Sequence, residues 1–250
     1  MKCVILAGGK GLRFNEETHL IPKPMIEVGG KPIICHIMQH YASFGYKDFI
    51  ICAGYKSEYI KNYFINLKYI SNDIEVDYSN NQVSLLSKSE LDWKVKIIDT
   101  GLSTNTGGRL LQISKFIEEE VFFMTYGDGV SDIDINKLLE FHNSSKRLVT
   151  LSATIPKGRF GALVIKNDEI LSIEEKKDSY DKYVNGGFFV INKKALKYID
   201  NHQQQWEVEP LSKIAKNGQL SAYKHSGFWQ PMDTLKDKIY LDELLNERNE

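Results

Sequence analysis

The chain has 250 residues, with 32 Lys and Arg against 33 Asp and Glu, and its formal net charge is −1. A chain of this length buries roughly 70–75% of its extended surface on folding, so its core needs no disulfide or metal support. The balanced charge argues against nucleic-acid binding through bulk electrostatics, which needs a basic excess or a basic face. The three cysteines, Cys3, Cys35 and Cys52, match no zinc spacing, and we expect them to be buried free thiols.

The first residues form a short apolar run. Cys3–Ala7 is apolar and stops at Gly8 and Gly9, with Lys10 next. Such a run is too short for a membrane span or for the core of a signal peptide. It predicts instead a buried parallel strand, and a cytoplasmic protein without membrane association.

Beyond this run, strand-like and helix-like patterns alternate along the chain. The predicted strands are Lys2–Leu6, Asp48–Cys52, Asp73–Tyr78, Trp93–Asp99, Val121–Thr125 and Val149–Thr154. The predicted helices between them are Pro32–Phe44, Ser57–Phe64, Gly107–Phe116 and Ile135–His142. This alternation predicts an α/β fold with a mostly parallel sheet and helices on both faces.

The pattern changes after Arg159. Shorter β-like runs follow at Ala162–Lys166, Ile170–Glu174 and Gly187–Ile191, and then helices at Glu209–Lys216 and Thr234–Asn246. No repeat, low-complexity segment or Pro/Ser-rich linker separates these two parts of the chain. We therefore expect a single domain, 1–250, with a small β-rich subregion.

A glycine-rich loop follows the first strand. Gly8, Gly9 and Gly11 let the backbone approach a ligand closely and direct its amides at a polyphosphate. Arg13 adds a forked cation for phosphate oxygens. The loop matches neither the P-loop nor the dinucleotide fingerprint. Taken alone, it is equally typical of a tight structural turn.

A second motif brackets one lysine with two prolines, Pro22-Lys23-Pro24-Met25. The prolines fix φ on both sides of Lys23 and restrict the directions in which its ammonium points. Such a lysine suits a positioned counter-charge for a leaving pyrophosphate. The alternative is a proline-rich surface turn with an incidental lysine.

In combination, these motifs resemble those of a known family. The matching runs are Gly8–Arg13, Pro22–Met25, Gly30–Ile33, Thr106–Arg109, Tyr126–Gly129, Gly158–Leu163, Asn185–Val190, Glu207–Leu211 and Gly227–Thr234. In this order they are similar to the sugar-phosphate nucleotidyltransferases, and within them to the glucose-1-phosphate cytidylyltransferase branch. The resemblance implies a Rossmann-like fold and the transfer of CMP from CTP to a small phosphomonoester, with release of pyrophosphate. It also implies a homo-oligomer.

The resemblance assigns roles to individual residues. The implied catalytic residues are Arg13, Lys23 and Asp128; the nucleotide-binding ones are Leu6, Ala7, Gly8, Gly9, Gly11, Arg13, Lys23, Thr106, Gly107, Gly108, Arg109 and Asp128; the acceptor-binding ones are Tyr126, Gly127, Glu175, Lys176 and Asn185. Thr106–Arg109 would contact the edge of the cytosine. Residues 1–157 would then serve mainly the nucleotide, and 158–250 mainly the acceptor.

Two aspartates are the expected metal ligands. Asp128 lies in a Gly-Asp-Gly turn after a predicted strand, where a parallel sheet presents its ligand-binding groups, and Asp233 precedes the last predicted helix. Carboxylate oxygens completed by water and phosphates suit Mg²⁺, with Mn²⁺ as a substitute. No general base is needed, because the second ionisation of a phosphomonoester lies near pH 6 and the nucleophile arrives charged.

The chain departs from the family pattern at several positions. Leu12 and Phe14 stand in the glycine loop where Thr and Leu are usual, Ile21 replaces a frequent lysine, and Lys177 replaces a proline. Residues 178–183 replace a glycine-rich stretch that would line the acceptor pocket. Two acceptors therefore stay open: glucose 1-phosphate, and the phosphorylated L-glutamine used by a related enzyme of capsular phosphoramidate synthesis. A regulatory module that binds nucleotide without turnover is the alternative from another class.

Overall fold

The structure is a computed structural model that describes residues 1–11, 18–87, 91–156, 162–166, 169–174 and 183–247, with only the backbone described in 162–174. Its strands are β1 (Lys2–Leu6), β2 (Glu27–Val28), β3 (Lys31–Pro32), β4 (Asp48–Ala53), β5 (Ile74–Asp77), β6 (Gln82–Leu85), β7 (Lys94–Asp99), β8 (Val121–Tyr126), β9 (Gly129–Ser131), β10 (Val149–Thr154), β11 (Ala162–Lys166), β12 (Glu169–Glu174), β13 (Val184–Asn192), β14 (Leu220–His225) and β15 (Trp229–Pro231). Its α-helices are α1 (Ile33–Ser43), α2 (Ser57–Ile70), α3 (Thr106–Ile113), α4 (Ile135–Ser145), α5 (Glu209–Lys216) and α6 (Leu235–Glu247). Short 3₁₀ turns lie at Lys23–Met25, Ser114–Phe116 and Lys193–Tyr198.

A seven-stranded sheet in the order β14-β10-β13-β8-β1-β4-β7 forms the centre of the molecule. β1 pairs in parallel with both β4 and β8, and β4 pairs in parallel with β7. Only β13 runs antiparallel to its neighbours in this sheet, β8 and β10. The prediction of an α/β fold with a mostly parallel sheet is therefore confirmed.

The chain after β1 turns towards β4, whereas β8 returns on the other side of β1. The carboxyl ends of β1 and β8 thus flank the position where the strand order reverses, which is where such sheets form ligand crevices. The glycine loop follows β1, and Gly127-Asp128 follows β8, so both predicted nucleotide motifs lie at this edge.

Apolar side chains of β1 alternate between two cores. Cys3 and Ile5 face a core closed by α1, α2, α4 and α6, and Val4 and Leu6 face a second core closed by α3 and α5. Every residue of β1 is buried, because helices cover both faces of the sheet. The three cysteines are buried and free, as predicted.

Several elements differ from the sequence-based prediction. Helix α2 continues to Ile70 rather than ending at Phe64, since its apolar stripe ends early but no Gly or Pro interrupts the helix. The strand predicted at Asp73–Tyr78 pairs only with β6, in a separate hairpin. β14 and β15 were not predicted, because their residues are half-buried or exposed and carry no apolar run.

Within the part of the chain that the structure describes, no helix combines the length and apolar character that crossing a membrane requires.

Candidate active site

The loop after β1 is held against the sheet by backbone hydrogen bonds. Ala7 N donates to Cys52 O over 3.0 Å, and Gly8 O accepts from Tyr55 N over 3.1 Å. Further along, Gly11 packs beside Lys23, so that a Cβ on Gly11 would lie 3.2 Å from Lys23 Cβ. The loop therefore leads from the end of β1 directly to the bracketed lysine. Arg13 lies outside the described residues.

Arg109 supports this loop through hydrogen bonds. The residue is 4% exposed. It donates to Gly8 O over 2.9 Å, to Ala53 O over 3.1 Å and to Thr100 Oγ1 over 2.5 Å. A Cβ on Gly8 would come within 2.0 Å of the guanidinium, so a side chain there would displace Arg109 from these bonds. The structure thus gives Arg109 protein partners that the sequence did not indicate, and its predicted contact with cytosine stays a prediction.

Lys23 lies between two carboxylates at the centre of the site. Its Nζ donates to Asp128 Oδ2 over 2.7 Å and to Asp233 Oδ1 over 2.9 Å. Lys23 is 7% exposed. Burial alone would lower the pKa of Lys23, but Asp128 and Asp233 outweigh it and raise that pKa above the ordinary value. The ammonium is therefore charged across the physiological range and aims at both predicted metal ligands.

Three local features bring these distant residues together. Pro22 precedes the 3₁₀ turn Lys23–Met25 and Pro24 lies within it, and Met25 N donates to Pro22 O over 2.8 Å, which directs Lys23 inward. β15 pairs with β9, and Met232 N donates to Asp128 O over 2.8 Å. The ladder and this bond place Asp233 beside Asp128, although the two residues are 105 positions apart in sequence.

Asp237 holds the chain at Asp233. Its Oδ2 accepts from Asp233 N over 3.1 Å and from Thr234 N over 2.9 Å, while Asp237 N donates to Thr234 Oγ1 over 3.3 Å. The pair is a capping box for α6, with Thr234 as the N-cap and Asp237 at the third helical position. The Thr-x-x-Asp spacing before an apolar helix was the signal for it in the sequence.

Two of the predicted acceptor residues, Tyr126 and Asn185, line a pocket beside Asp128. Tyr126, Asp128, Asn185 and Trp229 line it. Asn185 Nδ2 donates to Tyr126 Oη over 3.3 Å, and Asn185 Oδ1 accepts from Gly187 N over 2.9 Å. Trp229, which the sequence analysis did not single out, donates from Nε1 to Gly186 O over 2.7 Å. Glu175 and Lys176, the other predicted acceptor residues, lie outside the described residues, as do Leu12, Phe14 and Lys177.

The other predicted nucleotide segment starts helix α3. Gly108 packs so closely on the backbone of His202 that a Cβ would lie 2.3 Å from His202 O. Gly107 N donates to Gln204 O over 3.0 Å. The two glycines thus serve helix packing, whatever they contribute to binding a base. Gly127, next to Asp128, donates from its N to Leu6 O over 3.0 Å and so joins the ends of β8 and β1.

The donor set at Asp128 and Asp233 fits a hard divalent cation. Two carboxylate oxygens already converge on one cationic group, the Lys23 ammonium. Mg²⁺ is commonly held by one or two carboxylates, with water and substrate phosphates as its remaining ligands. Among the described residues no group of three or more His, Cys, Asp or Glu side chains could hold a metal.

The chain is similar to known proteins over nearly its whole length. The nucleotidyl transferase family model matches residues 2–238. The glucose-1-phosphate cytidylyltransferase of Salmonella typhimurium is 48% identical over 245 residues, covering 98% of this chain and 95% of that protein. The probable glucose-1-phosphate cytidylyltransferase of Bacillus subtilis is 39% identical over 248 residues, covering 99% and 97%.

Solved structures share the fold. The structure of HddC from Yersinia pseudotuberculosis superimposes with a TM-score of 0.71 at 25% identity, covering 97% of this chain and 98% of that chain. The inositol-1-phosphate CTP transferase of T. maritima, at 16% identity and a TM-score of 0.65, shares the fold and covers 100% of this chain and 96% of its own. Sequence and fold agree, and the chain therefore belongs to the nucleotidyl transferase family and, within it, to the glucose-1-phosphate cytidylyltransferase branch.

Proposed function

We propose that this enzyme transfers CMP from CTP to glucose 1-phosphate, releasing pyrophosphate, in a reaction that needs a divalent cation. The observation that carries the proposal is the contact of Lys23 Nζ with both Asp128 and Asp233, at the edge of the sheet where the glycine loop begins. The names of the relatives from Salmonella and Bacillus support the choice of CTP and of glucose 1-phosphate.

The chemistry needs positioning and charge neutralisation more than proton transfer. A phosphate monoester is already an anion at neutral pH, and the task is to bring it to the α-phosphorus of CTP against electrostatic repulsion. The loop amides of Gly8–Gly11 and the Lys23 ammonium supply fixed positive charge for the triphosphate. Asp128 and Asp233 would hold Mg²⁺, which neutralises phosphate charge when it is bound. Residues 1–157 would supply most nucleotide contacts, and the pocket at Asn185 and Trp229 would take the acceptor.

L-Glutamine phosphate is the second candidate acceptor, on one observation from the sequence. Lys177, Asp181 and Lys182 stand where the family pattern has a proline and a glycine-rich stretch. Charged groups of both signs suit the carboxylate and ammonium of an amino acid, which glucose lacks. A pocket built for hydrogen bonds to one substrate strongly rejects another that cannot make them, so one acceptor should dominate.

A pyrophosphate-release screen tests the proposal. The purified chain is given Mg²⁺ and each of CTP, UTP, ATP, GTP and dTTP, with glucose 1-phosphate or L-glutamine phosphate as acceptor. We expect release with CTP and glucose 1-phosphate, and none without acceptor. Release only with L-glutamine phosphate would move the assignment to the second candidate, and nucleotide binding without any release would identify a regulatory module.

The metal assignment has its own control in the same assay. Asp128→Asn removes one carboxylate charge without changing the size of the side chain, and we expect it to abolish Mg²⁺-dependent release. Asp92→Asn is the matched control, since Asp92 pairs with Lys47 on the surface. Full activity of Asp128→Asn would contradict the metal-binding role of Asp128.

A further inference from the structure

Glu207 bridges the two sides of the active site, although nothing so far gives it a role. Its Oε1 accepts from the Tyr126 hydroxyl over 2.6 Å, and its Oε2 accepts from Thr106 Oγ1 over 2.6 Å. Both carboxylate oxygens are therefore used. Tyr126 lines the pocket beside Asp128, whereas Thr106 is the first residue of α3, so Glu207 connects the acceptor side to the predicted nucleotide side.

On the acceptor side, Glu207 orients the Tyr126 hydroxyl. A tyrosine phenol keeps its proton at neutral pH. That proton points at Glu207. Since Asn185 Nδ2 also donates to the same oxygen over 3.3 Å, Tyr126 presents an acceptor, and not a donor, towards the pocket.

On the nucleotide side, Glu207 belongs to a segment that holds the start of α3. Trp206 N donates to Thr106 Oγ1 over 2.9 Å, and Asn105 N donates to His202 O over 3.1 Å. Thr106 thus has its hydroxyl proton directed at Glu207 and its lone pair at the backbone of the same segment. This contact is one of several that hold the start of α3, together with the bond from Gly107 N to Gln204 O.

We propose that Glu207 is a positioning residue that couples the acceptor pocket to the start of α3 by accepting both hydroxyl protons. The proposal rests on the function proposed above, because CTP and the acceptor are the ligands whose binding it links. Only a carboxylate offers two acceptors to two hydroxyl donors; a glutamine offers one acceptor and one donor, and one of the hydroxyls must then turn its proton away.

Glu207→Gln tests this with little change in shape. We expect kcat/KM for the acceptor to fall about tenfold and the KM for CTP to rise severalfold, the scale of one misdirected hydrogen bond to a charged group. Thermal unfolding should show the variant folded. Glu140→Gln, at an exposed position on α4, is the matched control, and we expect its kinetic constants to stay within twofold of the wild type.

Double variants separate coupling from a general loss of structure. If Glu207 acts through Tyr126, Glu207→Gln added to Tyr126→Phe should cause no further loss of acceptor kcat/KM. Thr106→Ser should retain the wild-type KM for CTP and Thr106→Val should not, because only serine keeps the hydroxyl. Unchanged KM values in Glu207→Gln, or losses in the double variant that simply multiply, would overturn the proposal. Failure of the proposed function would look different, because the wild type itself would then release no pyrophosphate.

Discussion

Some side chains in this site both supply charge and hold other residues in place, and Lys23 is the clearest case. Its ammonium is buried, lies between two carboxylates and is directed by the prolines on either side. A buried cation with two anionic partners leaves them uncompensated when it is removed. The same group can also meet the β- and γ-phosphates of a nucleotide that enters beside it.

Replacing Lys23 with alanine should lower kcat for pyrophosphate release roughly 10²–10³-fold, since transition-state charge stabilisation of this kind has that magnitude. Lys47→Ala is the matched control, because Lys47 pairs with Asp92 on the surface. Steady-state assays with Mg²⁺ and CTP measure both. A decrease in kcat of less than threefold in Lys23→Ala would show that Lys23 has only a structural role.

Arg109→Ala should act first on stability. Its loss removes three hydrogen bonds from a charged, buried donor, to Gly8 O, Ala53 O and Thr100 Oγ1, and we expect the free energy of unfolding to fall by about 2 kcal/mol or more. Urea unfolding measures this. If Arg109 also contacts cytosine, the preference for CTP over UTP should fall in the same variant, whereas an equal loss with every nucleotide would assign Arg109 to the loop alone.

Whole elements converge on the site because short contacts anchor them. The β9–β15 pair and the capping box of α6 together hold Asp233 next to Asp128. We therefore expect Asp237 to affect activity without contacting substrate. Its carboxylate caps the helix and at the same time binds the backbone of Asp233.

Asp237→Ala should lower the free energy of unfolding by about 1 kcal/mol, as the loss of a helix cap does. It should also lower kcat/KM roughly tenfold to a hundredfold, because the support of a metal ligand is lost. Asp134→Ala provides the comparison, since Asp134 caps α4 by accepting from Lys137 N over 2.9 Å. We expect equal destabilisation in the two variants but a kinetic loss only in Asp237→Ala; equal kinetics would contradict the link to Asp233.

At the scale of the whole molecule, the cores on the two faces of the sheet contain buried titratable groups. Burial lowers the pKa of His36, His40 and His142. His142 is 4% exposed and bonds through Nδ1 to Thr150 Oγ1 over 2.9 Å. Below about pH 6.5 the unfolded chain therefore binds more protons than the folded chain.

The free energy of unfolding should consequently fall as the pH drops from 7 to 5, by at most about 1.4 kcal/mol per pH unit for each such histidine. His142→Gln should reduce this slope. Urea denaturation at a series of pH values gives the slopes. The same slope in wild type and His142→Gln would exclude His142 as a contributor.

Local sequence patterns were enough for the class of fold and for the main strands. β1 (Lys2–Leu6) and α5 (Glu209–Lys216) have the predicted bounds, because an apolar run or a 3.6-residue period records burial directly. The resemblance of its motifs to a known family also indicated the enzyme family, which the family match confirms, and it implied site roles for Lys23, Asp128 and Asp233.

The remaining features of the site depend on contacts between residues that are far apart in the sequence. Three such contacts are the bonds of Lys23 to both aspartates, of Arg109 to Gly8, and of Glu207 to Tyr126 and Thr106. They follow from strand order and join residues about 80 to 210 positions apart. No periodicity records such contacts, since a hydrogen bond depends on the position of both partners and a sequence pattern describes only one of them. For the same reason, the sequence did not predict the pairing of β15 with β9. Short half-buried strands are stabilised by the partner strand that the tertiary fold supplies.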